Sequence, residues 1–280
     1  TPWYFNHHMW LQMAGVKSIP LDTDANMNPI IEKAEALITD RTRAIVLVSP
    51  NNPSGAIYTN QLLQKFFDLC KSNQIRLIID ETYKDFHPNA SQPHTLLENN
   101  NWDQVLTILY SFSKTYRMTG HRIGALLTSK ENLIEIEKAL DTFTVCPPQL
   151  GQYAANWGLN NLEAWAAERR TEILQRAKHF SEKFQPLSAA GWSLRGCGAY
   201  FAFVEHPFED ESNILAPLIL RDQGILLMPG TMFYPKHNPL GSRSFRIAFA
   251  NIDKNKISTL LERLKDLSYQ RLNSKNNMIN

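Results

Sequence analysis

The chain has 280 residues, of which 43% are hydrophobic, 20% are charged and 10% are aromatic. This composition is typical of a globular protein with a sizeable core, excludes disorder over most of the chain and, with this length, suggests about two domains. The 29 basic and 27 acidic side chains nearly balance, which argues against a nucleic-acid partner. No apolar run approaches the roughly 18 residues that cross a bilayer, so we predict no membrane partner. Three cysteines without metal-ligand spacing predict reduced thiols, a cytoplasmic location and no metal site.

Three short apolar runs, rich in β-branched residues, predict the buried strands of a parallel sheet at residues 43–49, 75–80 and 105–111. Between the first two runs, residues 59–72 have helical periodicity, and Thr59 is placed to cap the helix. Strand, helix and strand at this spacing predict a right-handed βαβ unit. Further helices are predicted in the second half of residues 22–40 and at residues 130–140.

The sequence pattern changes in the second half of the chain. One long amphipathic helix is predicted over residues 161–185, strands over 192–205 and 244–250, and helices over 212–223 and 253–271. Within the first of these strand regions, residues 196–198 (Gly-Cys-Gly) are predicted as a turn that leads into a strand at 199–204. The fold prediction is therefore α/β, with a mostly parallel sheet flanked by helices in a large domain (residues 1–180) and a smaller C-terminal α+β domain (residues 181–280).

Polar residues follow each of the three predicted strands. Residues 50–55 (Pro-Asn-Asn-Pro-Ser-Gly) follow the first strand, and residues 80–83 (Asp-Glu-Thr-Tyr) the second. Residues 111–114 (Ser-Phe-Ser-Lys) and 120–124 (Gly-His-Arg-Ile-Gly) follow the third. Each motif alone has an ordinary explanation as a turn, a cap or a surface lysine. Because ligands bind at the carboxyl ends of parallel strands, the three together indicate one ligand-binding crevice.

These motifs, together with residues 244–248 (Ser-Phe-Arg-Ile-Ala), resemble the class I and II aminotransferases, which are fold-type I pyridoxal-phosphate enzymes. The resemblance covers residues 2 to about 271, and its most specific part is residues 111–114 with Arg122 eight residues further on. It implies an enzyme that moves an amino group from an amino acid to a 2-oxo acid by a ping-pong mechanism. It also implies a homodimer, and it makes residues 1–180 the domain that binds pyridoxal 5'-phosphate.

The resemblance implies catalytic roles for Lys114, Asp80 and Tyr83. Lys114 would hold the cofactor as a Schiff base and then shuttle a proton between the substrate and the cofactor. Asp80 would pair with the pyridine nitrogen and keep it protonated, which makes the ring an electron sink. Tyr83, with Asn52, would donate hydrogen bonds to the phenolic oxygen of the ring.

The resemblance also implies how the rest of the cofactor is bound. Ser111, Ser113 and Arg122 would hold the phosphate, the arginine through charge-assisted hydrogen bonds. Tyr4 occupies the position where the family places an aromatic residue that stacks on the ring.

Arg246 lies on a predicted strand whose apolar residues alternate. Phe245 and Ile247 would face the core, while Arg246 and Ala248 face the opposite side. An arginine there can simply face solvent. The resemblance instead implies that Arg246, with Asn52, binds the α-carboxylate of the substrate in a bidentate manner.

The sequence departs from the family pattern in two respects. Family members carry a further stretch of the large domain upstream of the segment that matches residues 2–4, including a loop that donates to the phosphate, so we expect a chain that lacks the N-terminal part of this domain. No arginine stands shortly before Pro147 and Pro148, so a dicarboxylate preference is not supported. Two alternatives remain open: a pyridoxal-phosphate-dependent lyase or synthase of the same fold, and an inactive truncated homologue.

Overall fold

The computed structural model describes residues 1–89 and 92–276, with side chains up to residue 267. The helices within these residues are α1 (Phe5–Met13), α2 (Ile31–Leu37), α3 (Asn60–Ser72), α4 (Phe112–Thr115), α5 (Lys130–Phe143), α6 (Gln149–Asn161), α7 (Glu163–Lys183), α8 (Gln185–Ala189), α9 (Ser212–Gln223), α10 (Pro239–Ser242) and α11 (Lys254–Asn276). The strands are β1 (Ala44–Val48), β2 (Arg76–Asp80), β3 (Leu106–Ser111), β4 (Gly124–Leu127), β5 (Ser193–Gly198), β6 (Phe201–Glu205), β7 (Met228–Pro229) and β8 (Ser244–Ala248). No helix among these residues combines the length and the apolar character that crossing a membrane requires.

The chain divides into two compact units. The central unit comprises Ile31–Asn51 and Ile57–Glu172, and the terminal unit comprises Thr1–Ile30, Asn52–Ala56 and Ile173–Asn280. The single boundary that we predict near residue 180 stays a prediction. It falls inside α7, and the compact units differ from it mainly because the two early segments pack with the C-terminal part of the chain.

The sheet of the central unit has the order β1-β2-β3-β4. The first three strands are parallel and β4 is antiparallel to β3, which confirms a mostly parallel sheet. The three predicted strands are present; β1 is one residue shorter than predicted at each end, and β2 and β3 each begin one residue later than predicted. Strand β4 and helix α6 were not predicted.

Helix α3 forms the crossover between β1 and β2, as the sequence pattern predicts. Thr59 caps it, its hydroxyl accepting a hydrogen bond from the backbone N–H of Leu62 at 3.2 Å. The buried face of α3 carries Leu63, Phe66 and Cys70. Burial of this apolar stripe against the sheet stabilises the helix more than its intrinsic propensity does.

The terminal unit contains an antiparallel sheet of order β5-β6-β8-β7. Its core combines Phe245 of β8 and Phe249, which follows that strand, with Phe180 of α7 and Leu264 of α11. The predicted turn at residues 196–198 is wrong, because these residues lie inside β5 and the chain reverses after Gly198.

Candidate functional site

Lys114 lies on a single helical turn, α4, that begins where β3 ends. Ser111 caps this turn, its hydroxyl accepting a hydrogen bond from the N–H of Ser113 at 3.3 Å. The Lys114 side chain is half-buried, and its Nζ lies 5.9 Å from the centroid of the Tyr83 ring. Tyr83 is buried, with 4% of its surface exposed. The amine of the half-buried lysine therefore lies near the ring of a buried tyrosine.

Asp80 is the last residue of β2, the strand next to β3 in the sheet. Only 7% of its surface is exposed, and its Oδ1 accepts a hydrogen bond from the N–H of Thr82 at 2.9 Å. The next residue, Glu81, is also buried and contacts Nε2 of His94 through its carboxylate. Burying a carboxylate is costly unless it is paired, so Asp80 suits a cationic partner such as a protonated ring nitrogen.

Arg122 is brought to the same edge of the sheet by the pairing of β3 with β4. Ser111 pairs with Gly124, and the N–H of Phe112 donates to the carbonyl of Ile123 at 3.2 Å. Arg122 has a φ of 54°, which non-glycine residues adopt only rarely. Its exposed guanidinium donates to the carbonyl of Thr119 at 2.8 Å. The central unit thus brings six of the predicted site residues to adjoining strand ends: Asp80, Tyr83, Ser111, Ser113, Lys114 and Arg122.

Arg246 lies in the middle of β8, in the sheet of the terminal unit. Its Nη1 donates a hydrogen bond of 2.7 Å to Oδ1 of Asn52. The guanidinium carbon lies 4.4 Å from the centroid of the Phe201 ring and 5.2 Å from that of Phe233. The alternation predicted for β8 is present, because Phe245 and Ile247 are buried while Arg246 is half-buried. The two phenylalanines that hold the guanidinium were not predicted as site residues.

Asn52 is positioned by a short segment, Asn52–Ala56, that lies against β5. Gly55 has a φ of 73°, in the left-handed region that favours glycine. A Cβ at Gly196 would meet the carbonyl oxygen of Ser54, and one at Gly198 would meet that of Gly55. The glycines of β5 therefore permit the close approach of backbones that carries Asn52 to Arg246.

Tyr4 belongs to the same unit as Arg246 and Asn52. It precedes α1, and its hydroxyl accepts a hydrogen bond from Nδ2 of Asn6 at 2.9 Å. The neighbouring N–H of Trp3 donates to the carbonyl of Phe233 at 2.9 Å. This bond ties the Tyr4 segment to the turn whose phenylalanine packs on Arg246.

The functional groups of the two units suit two kinds of ligand chemistry. In the central unit, a primary amine, a buried carboxylate and hydroxyl donors suit a phosphorylated heteroaromatic aldehyde. In the terminal unit, a planar guanidinium suits a carboxylate. Within residues 1–89 and 92–276, no group of three or more histidine, cysteine, aspartate or glutamate side chains is arranged to bind a metal.

Comparison with solved structures identifies the fold. The aromatic aminotransferase of Pyrococcus horikoshii superposes with a TM-score of 0.85 over 97% of this chain and 72% of that chain, at 24% identity. An aminotransferase of Staphylococcus aureus superposes with a TM-score of 0.83 at 25% identity, covering 96% of this chain and 69% of that one. The fold is therefore that of the pyridoxal-phosphate-dependent aminotransferases.

The family is shown by the sequence. The family described as aminotransferase class I and II matches residues 1–264, and the chain belongs to it. The aspartate aminotransferase of Thermotoga maritima is 26% identical over 245 residues, which cover 86% of this chain and 60% of that protein. The chain thus spans about 60% of the length of this curated relative. Members of the family depend on pyridoxal phosphate, the class of compound that the groups of the central unit suit.

Proposed function

We propose that the protein is a pyridoxal-phosphate-dependent aminotransferase that moves an amino group from an amino acid to a 2-oxo acid by a ping-pong mechanism. The observation that carries this proposal is the Lys114 turn, whose amine lies 5.9 Å from the centroid of the Tyr83 ring. The adjoining strand end carries the buried carboxylate of Asp80. Membership of the class I and II aminotransferases supports the same activity.

Three side chains of the central unit would carry the chemistry. When bound, the cofactor supplies a ring that accepts the electron pair left on the substrate α-carbon. Lys114 holds the cofactor and, once released from it, moves the proton at the α-carbon. Asp80 keeps a proton on the ring nitrogen, because a buried anion favours a cationic partner. Tyr83 donates its hydroxyl proton to the phenolic oxygen of the ring.

Binding of the cofactor and the substrate would use the remaining predicted residues. Ser111, Ser113 and Arg122 hold the phosphate. Tyr4 stacks on the ring, and Asn52 donates to its phenolic oxygen. Arg246 binds the substrate α-carboxylate, and the Asn52 amide already fixes one side of its guanidinium. A fork held in place in advance loses less conformational entropy when it binds the carboxylate.

Half-reactions test the proposed activity. The chain is loaded with pyridoxal phosphate, and each candidate amino acid is added without an acceptor. We expect one equivalent of the corresponding 2-oxo acid, conversion of the cofactor to its amine form, and return of the original spectrum with 2-oxoglutarate. Release of ammonia or a thiol without that conversion would instead support the lyase alternative.

Two lysine variants separate the proposed site from the inactive alternative. Lys114→Ala should abolish both the visible absorption of the bound cofactor and the half-reaction. Lys138→Ala, on the exposed surface of α5, should change neither. An unsubstituted chain that binds no cofactor would support the inactive homologue.

The proposal extends to the oligomeric state of the protein and its location in the cell. We propose a homodimer, and the strongly exposed apolar side chains Phe143 at the end of α5 and Leu150 on α6 support a protein interface on the central unit. Light scattering that shows an active monomer would contradict it. We also propose a cytoplasmic location, supported by three cysteines that form no disulfide.

A further inference from the structure

Asp85 links two segments of the central unit that carry site residues. It lies on the 3₁₀ turn Lys84–Phe86, directly after Tyr83. Its Oδ2 accepts a hydrogen bond of 2.7 Å from the hydroxyl of Thr115, and the hydroxyl of Tyr110 donates to the same oxygen. Thr115 is the residue after Lys114, so one carboxylate oxygen joins the Tyr83 segment to the Lys114 turn.

The surroundings make this link strong. Thr115 is 1% exposed, so its hydroxyl has little access to water as a substitute partner. Hydrogen bonds to a charged acceptor are worth roughly twice those between neutral groups. The Nζ of Lys84 lies 5.3 Å from the centroid of the Tyr110 ring, so a cation also contacts the tyrosine that donates to Asp85.

The negative charge of Asp85 acts on the neighbouring phenols. Burial and the Asp85 charge together raise the pKa of Tyr110 above its ordinary value, and the same two causes raise the pKa of Tyr116. Tyr110 and Tyr116 both pack against Phe112, which belongs to the Lys114 turn. The carboxylate is therefore surrounded by groups that precede or follow Lys114 within a few residues.

We propose that Asp85 is a positioning residue, which fixes the Lys114 turn relative to Tyr83 through its hydrogen bonds to Thr115 and Tyr110. This inference rests on the proposed function of Lys114. Asp85 does not touch the reacting atoms. It restricts the turn so that the lysine amine stays near the ring of Tyr83, and such preorganisation reduces the cost of reaching a reactive geometry.

Two substitutions isolate the link, and a third controls for the loss of a buried hydroxyl. Thr115→Val removes one donor with little change in shape, and Asp85→Asn removes the charge. The control is Thr107→Val, near the start of β3, where the buried hydroxyls of Thr107 and Thr128 lie 2.9 Å apart. Thr107→Val therefore loses a buried hydroxyl bond of the same unit at the end of β3 away from Lys114.

Hydrogen exchange in the chain without cofactor is the first readout. We expect Thr115→Val and Asp85→Asn to speed the exchange of the backbone amides of residues 113–116 by about tenfold relative to Thr107→Val. The double variant should show less than the product of the two separate effects, because Thr115→Val removes the donor of the hydrogen bond that Asp85→Asn weakens. Exchange at these amides within about twofold of the control in both single variants would overturn the proposal.

Cofactor binding is the second readout, and it separates positioning from a merely structural role. We expect the dissociation constant for pyridoxal phosphate to rise about tenfold in Thr115→Val and to stay unchanged in Thr107→Val. Asp85→Asn should also lower the pH midpoint of the visible absorption of the bound cofactor, because removing a nearby anion favours loss of the proton. A midpoint and affinity equal to those of the control would overturn the proposal. If the unsubstituted chain binds no cofactor, the proposed function fails, and the exchange result still decides whether Asp85 fixes the turn.

Discussion

Replacing Arg246 by lysine tests how the terminal unit would recognise a substrate. The guanidinium is held by Asn52 at 2.7 Å and by the rings of Phe201 and Phe233 at 4.4 and 5.2 Å. Lysine keeps the positive charge, but its ammonium cannot form two parallel bonds with a carboxylate. The substitution therefore removes the planar fork and its packing while leaving the charge.

The expected fall in kcat/KM follows from these contacts. One charge-assisted hydrogen bond to the carboxylate is worth about 1.5–3 kcal/mol, and stacking of the guanidinium on the rings adds about 0.5–1 kcal/mol. A total of about 2–4 kcal/mol corresponds to a fall in kcat/KM of roughly 30- to 1,000-fold. Because the carboxylate is bound before and during the reaction, we expect KM to change more than kcat.

The assay compares Arg246→Lys with Arg243→Lys in the amino-acid half-reaction. Arg243 is exposed and immediately precedes β8, so it serves as a matched arginine control. An amine that lacks the α-carboxylate should react equally slowly with the unsubstituted chain and with Arg246→Lys. Equal kcat/KM values for the two variants with amino acids would refute the assignment of the carboxylate site to Arg246.

Two further predictions concern the stability of the terminal unit. Burial lowers the pKa of His206 from 6.5 to about 4, so its contribution to stability is complete above pH 6.5 and is lost as the pH falls towards about 4, a loss of about 2 kcal/mol by pH 5. His206→Gln should remove this part of the acid sensitivity in urea titrations, and an unchanged pH dependence would contradict the reasoning. Gly55→Ala should lower the free energy of unfolding by at least about 2 kcal/mol, because its Cβ would meet the backbone of Gly198. Gly15 has a φ of 69°, but a Cβ there would meet no atom within 4 Å, so Gly15→Ala should lower the free energy of unfolding by only about 1 kcal/mol. Equal losses of stability in the two alanine variants would show that steric contact is unimportant.

The parallel strands of the central unit could be predicted because the apolar character of their sequences explains why they are buried. Strands β1 to β3 are continuous runs of branched apolar residues, as expected when both faces of a sheet are covered. Helix α3 has its apolar residues at helical spacing and a threonine at its start, and both features are present in the structure. Since parallel strands have their carboxyl ends at one edge, the proximity of the Asp80 and Ser111 strand ends followed as well.

Helix α6 could not be predicted because its small residues, and not its large apolar residues, face the core. The buried positions carry small residues, Gly151, Ala155 and Gly158, while Leu150 and Trp157 are exposed. Hydrophobic periodicity assumes that large apolar side chains face the core, so it gives no signal for such a helix. A Cβ at Gly151 would crowd the Ile123 side chain, which explains the small residue at that position.

The contacts that shape the candidate site are the least visible in the sequence. Phe233 reaches Arg246 from a 3₁₀ turn without periodicity, and Asp85 reaches Thr115 across 30 residues of chain. Residues 196–198 were predicted as a turn because glycines are common in turns, whereas here they allow another backbone to approach a strand. Each of these features depends on which distant segments pack together, and a single sequence does not contain that information.

The proposed activity depends on Lys114 as the residue that holds pyridoxal phosphate. The most direct measurement is to incubate the chain with the cofactor, reduce the linkage with borohydride, digest the protein and locate the modified residue by mass spectrometry. We expect a single cofactor-derived modification on Lys114 at close to one equivalent, with none in Lys114→Ala. Modification spread over surface lysines such as Lys138, and retained in Lys114→Ala, would contradict the assignment.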